Sequence, residues 1–151
     1  MYERIRETAE WLRKRRPNAP QTAIVLGTGL GQLAERIEKL VDILNNTDQP
    51  TLVYCQSPSS ANRLAAQLLE YELYGKIEQN AALVSWIRDN YHPEWILAKA
   101  IEHGIGIHHG KNPRALSQQC VKLFKEGLLR CLICTSTLIE GVNTKAKNVV
   151  I

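Results

Sequence analysis

Apolar residues follow two rhythms along this chain. Short runs rich in β-branched side chains predict strands: Thr22 to Leu26 (TAIVL), Thr51 to Cys55 (TLVYC), Ile105 to His108, Leu129 to Cys134 and Asn148 to Ile151. Between them, apolar residues recur every three or four positions. Ile5, Ala9 and Leu12 mark a helix over Tyr2 to Arg16, which Pro17 and Pro20 stop. Leu30, Leu33, Ala34, Ile37, Val41 and Leu44 form one stripe, and Ala61, Leu64, Ala65 and Leu68 another. Tyr71 to Tyr91 is less regular, with a peripheral helix around Ala81 to Asp89. Pro93 to His103 is helical up to Gly104, and Leu116, Cys120, Leu123 and Phe124 mark a helix from Pro113 to Gly127.

Ser57 is placed to cap its helix, with Pro58 at the first helical position. Strands alternating with helices predict an α/β fold: an open, mostly parallel sheet with helices on both faces. Strand, glycine turn, helix and strand over Thr22 to Cys55 form a first βαβ unit, and a second follows at once.

A length of 151 residues suits one compact unit. The formal charge of +4 becomes informative only through its placement. From Gly104 onward seven cations (Lys111, Arg114, Lys122, Lys125, Arg130, Lys145, Lys147) face two acids, Glu126 and Glu140. Such a bias favours a polyanionic partner, although a solvated basic face looks the same. No export signal and no apolar run of about 18 residues is visible, so a cytoplasmic protein without a membrane span is expected. Cys131 and Cys134 have the CxxC spacing, yet residues three apart on a strand point to opposite faces. Buried reduced thiols, not a metal site, are therefore expected.

Ligands of such sheets bind beyond the carboxyl ends of the strands. Three of those ends carry unusual residues. Gly27-Thr-Gly-Leu-Gly31 could present backbone N–H groups to an anion, but it has neither the lysine of a nucleotide-binding loop nor the last glycine of a dinucleotide turn. Cys55-Gln-Ser-Pro-Ser-Ser60 brings hydroxyls to a helix start. Cys134-Thr-Ser-Thr-Leu-Ile-Glu-Gly-Val-Asn143 follows a buried strand with three hydroxyl residues and an acid. Adjacent His108 and His109 lack further ligands at metal spacing, so a structural or nucleic-acid-facing role is expected.

Tyr2 to Glu38 (YERIRETAEWLRKRR…PQTAIVLGTGLGQLAERIE) resembles the amino-terminal segment of purine nucleoside phosphorylase. The resemblance implies a phosphate-binding loop at Gly27, Thr28 and Gly29. The later ribose and purine residues of that family are not found, so phosphorolysis is not expected. Leu40 to Ile151 is similar instead to the second RecA-like domain of superfamily 2 helicases, in the superkiller-like group. The residues that carry this likeness are Thr51 to Ser57, Ile105-Gly-Ile-His-His-Gly110 and the run Thr-Ser-Thr-Leu-x-x-Gly-Val-Asn from Thr135 to Asn143.

That resemblance implies nucleic-acid contacts at Gln56, Ser57, His109, Gly110, Thr135, Ser136 and Thr137, and nucleotide-facing positions at Glu140, Gly141 and Asn143. It implies single-stranded RNA or DNA as partner, together with a first RecA-like motor domain. No GxxxxGK[ST] loop, DExH box or final arginine motif occurs, so no catalytic residue is assigned. ATP and Mg2+ are expected only with the partner motor domain, and no activity is expected from this chain alone. The chain thus divides into a phosphorylase-like segment, 1–39, and a truncated helicase domain, 40–151, joined inside one helix whose apolar stripe stays in phase. A phosphate-binding phosphorylase-derived fragment and an inactive or engineered hybrid are the rival readings.

Overall fold

The computed structural model describes residues 22–24, 33–136 and 148–150. Their strands are short because each β-branched run is cut by a polar or glycine turn. They are β1 (Thr22–Ile24), β2 (Thr51–Tyr54), β3 (Ile105–His108), β4 (Cys131–Cys134) and β5 (Asn148–Val150). The helices are α1 (Leu33–Asn45), α2 (Pro58–Glu70), α3 (Ala81–Asn90), α4 (Ile96–Glu102) and α5 (Arg114–Glu126), with a single 3-10 turn at Glu78–Asn80. The expected helix over Tyr2 to Arg16 and the glycine turn after β1 lie outside the described residues.

All five strands pair in parallel, in the order β1-β5-β2-β4-β3. The two βαβ units expected from chain order are therefore opened by later strands. β5 enters between β1 and β2, and β4 enters between β2 and β3. Cys131 to Cys134 and Val150 are buried, as the covered interior of a parallel sheet requires.

Local chemistry accounts for the helix ends. Ser57 Oγ accepts from the Ser60 amide at 3.1 Å, and Pro58 follows at the first turn. Gly127 closes α5 with φ +79°, and Gly104 follows α4 with φ +73°, both left-handed positions that glycine adopts freely. α4 begins at Ile96 rather than Pro93. The Glu94 amide is taken by His92 Nδ1 at 3.1 Å, which holds a turn ahead of the helix.

α1 continues without interruption through Lys39 and Leu40, and it buries Ile37, Leu40, Val41 and Leu44. Of the expected stripe, Ile37, Val41 and Leu44 are buried, and the side chains of Leu30, Leu33 and Ala34 lie outside those described. The helix expected to be peripheral, α3, buries Val84 and Ile87 against α4, so only its other side is free. Helices cover both faces of β3. Gly106 faces Cys120 of α5, while α4 and α2 pack against the strand from the Ile105 and Ile107 side.

At Gly106 the side chains of the neighbouring strand β4 and its lead-in leave no room for a side chain. A Cβ there would sit 2.7 Å from Leu132 Cδ1 and 2.8 Å from Leu129 Cδ1. Gly106→Ala should therefore cost about 1–3 kcal/mol by overpacking. A thermal melt checks this, and an unchanged midpoint would mean that the two leucine methyls give way freely.

Among the described residues no helix is long and apolar enough to cross a membrane. The four cysteines are free thiols. Burial pushes Cys55 to about 11 and both Cys120 and Cys134 to about 12, and it raises Cys131 further still. Reduced, protonated thiols at Cys131 and Cys134 agree with the reading of that CxxC as strand interior.

Candidate nucleic-acid interface

Parallel pairing puts every strand's carboxyl end on one edge of the sheet. Tyr54 of β2, Cys134 of β4 and His108 of β3 lie side by side in register. The three loops that leave them therefore start from one line, about 5 Å between neighbours. Two backbone bonds extend this line by one residue: the Cys55 amide donates to Cys134 O at 2.8 Å, and the Thr135 amide to His108 O at 3.1 Å.

The loop residues divide into a surface set and a buried set. Gln56, Gly110 and Ser136 are exposed, and Ser57 is half-buried at the start of α2. Thr135 and His109, expected at the nucleic-acid surface, are 5% and 3% exposed. In this arrangement neither presents a face to a ligand, because each is the first residue past a buried strand and still packs with the sheet. The nearest hydroxyl at the surface after β4 is that of Ser136. Thr137, Glu140, Gly141 and Asn143 lie outside the described residues, as do Gly27, Thr28 and Gly29.

His109 is held from a distance. Its Nε2–H donates to Asn62 Oδ1 of α2 at 3.1 Å, which ties the loop after β3 to the helix after β2. Asn112 steadies the same loop: its amide donates to His109 O at 3.1 Å and its Nδ2 to Ile107 O at 3.2 Å. Nδ1 of both His108 and His109 is buried without a partner among the described residues. Asn62 was not legible as a site residue. A lone asparagine on the second turn of a helix reads as solvent-facing, and its partner is 47 positions away.

Burial holds both imidazoles below their ordinary pKa, so both are neutral at pH 7. The sign of the resulting pH dependence follows from the unfolded chain. Below about pH 6.5 an unfolded histidine takes a proton that the folded one still refuses. Stability should therefore drop as pH falls through that range, level off once the lowered folded values are passed, and be unaffected above it. Urea unfolding at pH 7.5 and 5.5 should show a larger loss for the parent than for His109→Gln. Equal losses would mean that His109 titrates alike in both states.

Three cations border this edge: Arg63 on α2, Lys111 in the loop after β3, and Arg114 at the start of α5. All three are exposed, and none joins an ion pair among the described residues. Of the other cations of the basic carboxyl-terminal stretch, Arg130 and Lys122 are placed elsewhere, and Lys145 and Lys147 lie outside the described residues. Arg130, at the opposite edge of the sheet, pairs with Asp48 at 2.9 Å and lies 4.8 Å over the Tyr74 ring. Lys122 lies 4.0 Å from Glu126 on α5.

Comparison with known proteins places this geometry. The helicase conserved C-terminal domain matches residues 35–151, a stretch that begins within α1. "Anti-bacteriophage protein B" of Escherichia coli is 40% identical over 116 residues, covering 77% of this chain and 16% of that protein. The ATP-dependent DNA helicase MER3 of Saccharomyces cerevisiae is 31% identical over 121 residues, 80% of this chain and 9% of the relative. The ATP-dependent DNA helicase Hel308 of Caldivirga maquilingensis is 29% identical over 129 residues, 80% of this chain and 17% of the relative. The chain thus spans less than a fifth of the curated relatives it matches. With that match over most of its length, this chain belongs to the helicase conserved C-terminal domain family.

Proposed function

We propose that this chain is the strand-gripping half of an ATP-dependent nucleic-acid motor. It holds the backbone of single-stranded RNA or DNA along one sheet edge and senses ATP only when docked against a first RecA-like motor domain. The observation that carries this reading is the registered line Tyr54, Cys134, His108, with Ser57, Gly110 and Ser136 at the surface beyond it and, beside it, three cations that join no ion pair among the described residues. Hydroxyls and helix starts bond to phosphate oxygens without reading bases, and cations release counterions from the strand.

Buried His109 and Thr135 act here by fixing the loops that Gly110 and Ser136 expose. Thr137 would extend the same row of hydroxyls, with Glu140, Gly141 and Asn143 facing the nucleotide. Among the described residues no cluster of three His, Cys, Asp or Glu side chains could hold a metal. Because no GxxxxGK[ST] loop or DExH box occurs in the sequence, the reading assigns Mg2+ and ATP to the partner domain's residues and gives this chain alone no hydrolysis or unwinding.

A fluorescent single-stranded oligonucleotide titrated with the chain tests this directly. Each phosphate neutralised on a single strand contributes a slope of about 0.7 in log K against log salt. Three contacts then predict a roughly 20-fold loss of affinity between 50 and 200 mM salt. Absence of binding at 50 mM would refute the gripping role.

A further inference from the structure

Three aromatic rings stand together on the outer side of the α3–α4 pair, and the fold gives two of them, Trp86 and Tyr91, no packing task. Trp86 and Tyr91 are 50% and 48% exposed, while Trp95 is half-buried against the core and anchors the group. Tyr91 lies 6.0 Å from Trp86 in an edge-on arrangement and 5.2 Å from Trp95, tilted by 44°. Val84 and Ile87 already bury the inner side of α3, so Trp86 is not needed to hold it.

The topology fixes where this group sits. Only His103 and Gly104 separate α4 from β3, and the two pack together, so α4 runs antiparallel to the strand. Its last residue is at the amino edge of the sheet, and Trp95, which precedes its first, is at the carboxyl edge. α2 packs beside α4 and also starts at that edge, roughly 10 Å away at ordinary helix spacing. The aromatic group is thus at the carboxyl edge, on the far side of α4 from α2, on the same edge that carries Ser57, Ser136 and the three cations that join no ion pair among the described residues.

Asp89 is exposed and joins no ion pair among the described residues, while the other charges flanking the rings are occupied. Lys99 bonds Glu94, and Arg88 reaches Glu102 at 2.9 Å. What remains is an aromatic platform, with Asp89 beside it, on the sheet edge that also carries the cations and hydroxyls. Proteins that hold single strands without reading sequence combine these two parts: a positive groove for phosphates and aromatic faces for bases.

We propose that Trp86, Tyr91 and Trp95 form a stacking platform for unpaired bases of the strand whose phosphates follow the sheet edge. The proposal rests on the gripping role above and adds the bases to it.

The test compares the chain with the double variant Trp86→Ala/Tyr91→Ala on a labelled oligothymidylate and on an abasic strand of equal length. On oligothymidylate the variant should bind at least about tenfold more weakly. Its salt slope should match the parent's, because no phosphate contact is lost. On the abasic strand the two proteins should bind alike. Trp86→Phe/Tyr91→Phe should restore the lost affinity, and matching melting curves establish that each variant is folded. Equal affinity of parent and alanine variant for oligothymidylate, with the salt slope intact, would overturn the platform and leave the patch to a protein partner. A parent that binds neither strand would instead overturn the gripping role, and the platform with it.

Discussion

Replacing Arg63, Lys111 and Arg114 together by glutamine should weaken single-strand binding about 100-fold at 0.1 M salt. The size follows from counterion release: three contacts at about 0.7 each give roughly two decades of affinity between 1 M and 0.1 M salt. All three side chains are exposed and make no ion pair among the described residues, so their loss leaves packing untouched. The melting curve should therefore overlay the parent's. The diagnostic quantity is the salt slope, which should fall by about two. A threefold loss of affinity with an unchanged slope would mean that these cations point away from the strand. Lys122→Gln is the matched control, because its side chain already lies near Glu126 on α5. It should bind as the parent does.

The parts of this fold that depend on neighbours in sequence were legible. Ser57 and Pro58 announce a helix start because their chemistry acts within one turn. Gly104 and Gly127 announce helix ends because a left-handed residue is needed there. The β-branched runs declare strands, and the stripe Ile37, Leu40, Val41, Leu44 declares the buried side of α1. Strand order was not legible. Placing β5 between β1 and β2 depends on pairing with residues about a hundred positions away or more, and no local propensity encodes that.

The site divides in the same way. Hydroxyl and imidazole residues after a strand mark a loop, and the three loops do share an edge. Which of them reach the surface depends on how far the sheet's packing extends past the last paired residue. It covers one more position on β3 and β4, and so it buries His109 and Thr135 while leaving Gly110 and Ser136 outside. Asn62 and the Trp86–Tyr91–Trp95 group carried no signal, since isolated polar and aromatic residues on helices read as ordinary surface or core.

Asn80 belongs to the same illegible set, and substituting it should have the largest effect on stability of any polar change among the described residues. Its side chain is 1% exposed at the end of the 3-10 turn. Nδ2 donates to Ile101 O at 2.9 Å and to Leu128 O at 3.1 Å, joining the segment before α3 to the end of α4 and to the residues before β4. Asn80→Ala takes a donor from the buried Ile101 O, which keeps the Gly104 amide at 3.1 Å, and from the part-buried Leu128 O, at about 1 kcal/mol each, with a small cavity besides. A total near 3 kcal/mol should lower the melting midpoint by roughly 10 °C. Asn80→Asp keeps the shape but sets a carboxylate against two carbonyl oxygens, so it should be worse at pH 7. Burial and those oxygens would raise its folded pKa above the unfolded value of about 3.9. The penalty is then small below that value, grows as pH rises, and is complete only above the folded pKa. Unfolding measured from pH 7 down to pH 4 should bring Asn80→Asp towards Asn80→Ala, because the protonated acid recovers one donor. If the two variants instead keep a constant difference across that range, the side chain at position 80 has turned to water, and the latch between the 3-10 turn and α4 does not hold.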